Sequence, residues 1–101
     1  MMDEKIRWLR IKQAAEKIAC RPVSIHGSTD LPPHLRAAVD ATEERVDIAL
    51  NFQHVKSAED VLAAVAHELA HVVAGISHHG GRFEAVWKEI KERLMEDYYR
   101  F

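Results

Sequence analysis

Residues 57–83 read SAEDVLAAVAHELAHVVAGISHHGGRF, and this stretch decides the fold. Wound at about 100° per residue, Val61, Leu62, Val65, Leu69, Val72, Val73 and Ile76 gather into one apolar stripe, the signature of a helix laid on a core. Ser57 with Asp60 three residues later makes a start resembling a capping box, and Gly75 offers a left-handed stop. At the centre lies His67-Glu68-Leu69-Ala70-His71, an HExxH pattern. Helical positions four apart sit about 40° round the axis and roughly 6 Å along it, so both imidazoles reach one point. That point lies roughly 160° from the centre of the stripe, on the side of a cleft and away from the core. Ala63, Ala64, Ala70 and Ala74 are expected on the same side, where small residues leave room for an ion, a water and a substrate. Glu68 falls between the two faces, at the cleft wall.

Two imidazoles on one helix face are ligands for Zn2+, and a carboxylate beside the first is placed to activate a metal-bound water. The chemistry expected of such a set is zinc-dependent hydrolysis of peptide bonds. A purely structural zinc more often takes four protein ligands and has no use for Glu68, which favours an enzyme over a binding module. After Gly75 the chain must turn back over the cleft before a last helix begins near Arg82. A third ligand comes from that turn, where His78 and His79 both lie within reach.

His67-Glu68-Leu69-Ala70-His71, Gly75 and His79-Gly80-Gly81-Arg82-Phe83 together resemble the SprT-like and WLM-type zincin metallopeptidases. The resemblance covers about residues 45–95 and rests on HExxH followed by an HGxxF arrangement. It implies a zincin fold, one catalytic zinc and endopeptidase chemistry on a protein or peptide substrate. It also favours His79 as the third ligand, with Gly80 and Gly81 allowing close backbone approach and Phe83 anchoring the next helix. His78 is then a neighbouring or substrate-facing donor. A gluzincin-like variant replaces the third His with Glu84 or Glu89. The metzincin pattern HExxHxxGxxH is disfavoured, since Gly75 and His78 each sit one position too late. Cys20 is the sole cysteine, so there is no Cys-ligated zinc ribbon of the kind larger SprT-like proteins often add.

The remaining chain fits one α+β domain over residues 1–101, with a core of modest size. Its 14 Lys and Arg against 16 Asp and Glu leave a formal charge of −2, with no basic field for a phosphate backbone, so no nucleic-acid partner is indicated. No apolar run is long enough for a signal or membrane helix, and with one cysteine the expected location is the cytoplasm. Residues 3–19 are predicted helical, with Trp8, Ile11, Ala15 and Ile18 facing inward and Asp3 as cap. Cys20 is expected to be a small core residue. Val23 and Ile25 alternate in a short strand over 21–26, and 27–33 is a loop.

Leu35, Ala37, Val39 and Ala41 alternate, as do Val46, Ile48 and Leu50, and Thr42-Glu43-Glu44 between them reads as a hairpin turn. Residues 45–51 are expected to form an edge strand lining the cleft, where an extended substrate can add main-chain hydrogen bonds. His26, His34 and His54 are expected to be solvated. The last helix, 82–99, turns Phe83, Val86, Trp87, Ile90, Leu94 and Tyr98 inward. In the mechanism expected, Glu68 takes a proton from the water and passes it to the leaving amine, and Arg82, His78, Tyr98 or Tyr99 steadies the oxyanion. The rival outside enzymology is a silent or latent metal-binding or peptide-binding module of the same fold.

Overall fold

The computed structural model describes residues 6–75 and 80–100. Its elements in chain order are helix α1 (Trp8–Ala19), strands β1 (Val23–Gly27), β2 (Ala37–Ala41) and β3 (Val46–Leu50), and helices α2 (Ala58–Ala74) and α3 (Gly81–Tyr99). Helices and a small mixed sheet share one core, which makes the architecture α+β.

The first helix begins later than its apolar pattern suggests: Arg7 occupies the N-cap with non-helical backbone, and Asp3 lies outside the described residues. Starting at Trp8, α1 buries Ile11, Ala14, Ala15 and Ala19. Trp8, in the first turn, overhangs the core and meets Phe52 at a ring-centroid distance of 6.2 Å. At the other end Cys20 takes the left-handed conformation, φ 59°, and its N–H donates to the Glu16 carbonyl at 2.8 Å. Cys20 is therefore exposed and not a core residue; the chain reverses at this residue, and the reversal turns its side chain outward.

The sheet order is β1-β3-β2, with β1 parallel and β2 antiparallel to β3. The hairpin forms where the sequence places it: Thr42 N–H donates to the Arg45 carbonyl at 2.9 Å, and the Thr42 hydroxyl accepts from Glu44 and Arg45 N–H at 3.1 and 3.2 Å. Leu35 stays outside the strand, its N–H turned to the Pro32 carbonyl. The expectation of an edge strand at 45–51 is overturned. β3 is the central strand, because β1 arrives on its far side and takes up the hydrogen-bonding groups a substrate strand would need.

One sheet face carries Val23, Val46, Ile48, Leu50 and Ala37, all buried, and the other carries Ser24, His26, Asp40 and Asp47. This period-two division follows from alternation along each strand. α1 covers β1, α2 covers β2 and β3, and α3 packs on α2 and α1. α2 thus lies between the sheet and α3, which fixes the environment of the HExxH residues.

The link from β3 to α2 is locked by Asn51, which is 5 % exposed and fully bonded. Its N–H donates to Arg36 O at 2.8 Å, its side-chain amide to Leu35 O at 3.0 Å, and its Oδ1 accepts from Gln53 N–H at 3.0 Å. A buried amide with every group satisfied specifies one path for the chain. Gly27 lets the Phe52 ring lie close over the strand end, and a Cβ there would displace that exposed ring.

Candidate metal centre

α2 starts and stops as its sequence dictates. The Ser57 hydroxyl accepts from Asp60 N–H at 3.1 Å while the Asp60 carboxylate accepts from Ser57 N–H at 3.3 Å, a complete capping box. Asp60 also accepts from Lys56 N–H at 3.1 Å, and this bond first, then those at Ser57, holds its carboxyl below the usual aspartate range. Gly75, at φ 65°, ends the helix with its N–H on the His71 carbonyl.

Val61, Leu62, Val65 and Leu69 are fully buried, so the core stripe is where periodicity puts it. It fades at the last turn, where Val72 is half-buried and Val73 is 50 % exposed; Ile76 lies outside the described residues. The alanines depart further from expectation. Ala64 and Ala70 are buried in the core and do not line a cleft. A helix covered by the sheet on one side and by α3 on another needs small residues on more than one face, because side-chain size sets how closely the neighbours approach.

His67 and His71 are half-buried, with ring centroids 5.0 Å apart and planes at 81°. Together with Glu68 they form a group whose potential ligand atoms all lie within 4.8 Å of one another. Glu68 is only 7 % exposed, more enclosed than a residue on a cleft wall. Its Oε2 lies 3.2 Å from His67 Nδ1. With the ring proton on Nδ1 facing this carboxylate, the lone pair that binds a metal is on Nε2. The donor set of two imidazoles and a carboxylate fits a divalent transition metal such as zinc without singling it out from copper, nickel or iron.

α3 supplies the walls. Phe83 packs against His67 at a centroid distance of 5.1 Å and against His71 at 4.5 Å, and Trp87 meets His67 at 5.5 Å. The Trp87 Nε1–H donates to the Ala63 carbonyl at 3.2 Å, tying α3 to α2 one turn before His67. Sequence periodicity identifies Phe83 and Trp87 as inward-facing, but not the imidazoles as what they face.

His78 and His79, the candidate third ligands, lie outside the described residues. Glu84 and Glu89 are exposed, and among the described residues neither belongs to a group able to hold a metal. Arg82 is exposed in the first turn of α3, beside Phe83. Tyr98 and Tyr99 are excluded as oxyanion donors at this centre. Tyr98 lies fifteen helical steps beyond Phe83, about 22 Å at 1.5 Å each. Tyr98 is buried at the opposite end of α3, its hydroxyl accepting from Arg7 N–H at 3.1 Å, and Tyr99 stacks edge-on against it. His26, His34 and His54 are exposed, and the His54 ring bonds the Pro33 carbonyl. None of the helices described is long and apolar enough to cross a membrane.

No protein-family model, curated protein or solved structure matches this chain.

Proposed function

We propose that the chain is a zinc-dependent metallopeptidase of zincin type, acting on peptide bonds in proteins or peptides, with a cytoplasmic location. The observation that supports this is the gathering of the His67, Glu68 and His71 ligand atoms within 4.8 Å on one side of α2. His67 and His71 would hold the metal, and His79, or His78 beside it in sequence, would complete the set. Zinc in such a site supplies Lewis acidity toward a scissile carbonyl and an attacking water. Glu68 accepts the water's proton at a carboxylate oxygen and returns it to the departing amine nitrogen. Before it takes that proton, the ionised carboxylate would accept the Nδ1–H of His67, 3.2 Å away, and so favour the tautomer that leaves Nε2 free for a metal. Arg82, in the first turn of α3 beside Phe83, is the charged candidate for steadying a developing oxyanion.

A second reading, a metal-binding or peptide-binding module without turnover, draws support from the burial of Glu68 against His67, which engages the base away from substrate. One experiment separates the two. Purified protein is assayed for zinc by elemental analysis and for cleavage of unfolded protein substrates, alongside Glu68→Gln. The enzyme reading expects one zinc in both forms and hydrolysis reduced about 10²- to 10⁴-fold in the variant. Zinc without cleavage in the wild type supports the metal-binding module, and protein that takes up no zinc overturns both the enzyme and the metal-binding module.

A further inference from the structure

The His67 ring is enclosed by three others: His71, Phe83 and Trp87, at centroid distances of 5.0, 5.1 and 5.5 Å and interplanar angles of 81°, 71° and 85°. Edge-to-face packing at these separations is favourable in a definite orientation, so it selects a ring position as well as filling space. Trp87 is itself pinned, because its indole N–H donates to the Ala63 carbonyl at 3.2 Å. Ala63 lies four residues before His67, and in a helix that carbonyl also receives the His67 backbone N–H. One peptide oxygen therefore anchors both the backbone of His67 and the indole that walls its side chain. From this we infer that Trp87 is a positioning residue for the metal centre: it holds the His67 imidazole in its ligating orientation before any ion arrives. The inference rests on the metal-site reading above.

The physical gain is preorganisation. An imidazole on an unwalled helix surface samples several rotamers, and an ion must then meet the cost of selecting one. Phe83 touches both imidazoles, but it is 2 % exposed and part of the core, so removing it disturbs the whole α2–α3 contact. Trp87 is half-buried and can be changed with less damage to the fold.

The experiment uses the full chain as wild type, Trp87→Phe and Trp87→Leu, with Zn2+ alone and Co2+ alone as probes and far-UV circular dichroism to verify folding. Three quantities are read: the chemical shifts of the His67 ring protons without metal, the Zn2+ affinity, and the shape of the visible Co2+ absorption, which reports coordination geometry. In wild type the His67 ring protons should be displaced by ring currents relative to those of the exposed His26 and His34. Trp87→Leu should move them toward the exposed positions, weaken Zn2+ by about 10- to 100-fold and alter the Co2+ band. Trp87→Phe keeps a ring and loses the bond to Ala63, so its affinity should fall between the two. A role confined to packing would lower the melting temperature and leave the Co2+ band and the affinity of the folded protein unchanged, and that result overturns the inference. Should Trp87→Leu fail to fold, Trp87→Phe decides: wild-type affinity with an unchanged band overturns it. A wild-type chain that binds neither ion overturns the metal-site reading and the positioning role together, whereas failure of the Trp87 role alone leaves wild-type binding intact.

Discussion

Replacing Phe83 by Ala tests the contact that holds α3 over the two imidazoles. The ring is 2 % exposed and lies against His67 and His71 at centroid distances of 5.1 and 4.5 Å. Truncation gives up about 150 Å² of buried apolar surface, which at about 25 cal/mol per Å² amounts to about 4 kcal/mol. That figure falls within the range of about 3–5 kcal/mol measured for such truncations in other proteins. A domain of this size has a total stability of about 5–15 kcal/mol, so the variant should fold but with little in reserve. The assay is urea unfolding followed by circular dichroism, with chelator in every sample so that metal binding adds nothing to the native state. At a slope of about 1.3 kcal/mol/M, the midpoint should drop by about 3 M with the slope unchanged. Phe83→Leu, which keeps most of the volume and forfeits the aromatic contacts, should cost about 1–2 kcal/mol. A loss below about 1 kcal/mol in Phe83→Ala would refute the burial of this ring between α2 and α3.

Two further outcomes concern helix ends. The Asp60 carboxyl is held below its ordinary range by N–H donation from Lys56 and then Ser57, so its contribution is complete above the unfolded value of about 4 and fades as pH falls through the lower folded value. The stability difference between wild type and Asp60→Asn should therefore shrink on acidification below about pH 4, and a pH-independent difference in urea midpoints would contradict the role of the charge. Cys20→Gly should stabilise by about 1 kcal/mol, because glycine adopts the φ of 59° without the steric cost a Cβ incurs; a melting temperature no higher than wild type would show that the residue is unstrained.

The helix that carries the candidate centre was legible in the sequence because its determinants are local. The capping box joins Ser57 to Asp60, the stop depends on Gly75, and the approach of His67 to His71 follows from helical pitch. The same holds for the hairpin at Thr42, whose hydroxyl satisfies N–H groups two and three residues ahead. Cys20 is not legible in this way: composition favours burial of a lone cysteine, while the left-handed turn that exposes it has no sequence marker such as glycine.

The sequence by itself determined the element types, the core stripe of α2 and the HExxH geometry, since each depends on interactions within about one helical turn or one hairpin. Tertiary structure decided that β3 is central, that Glu68 is buried against His67, that Ala64 and Ala70 belong to the core, and that Trp87 stands over His67. It also decided that Tyr98 meets Arg7, 91 residues away, at the far end of α3 from the imidazoles. Amphipathic patterns say which side of an element avoids water. What covers that side is set by the packing of segments distant in sequence, and α2, covered by the sheet and by a second helix, has more than one such side.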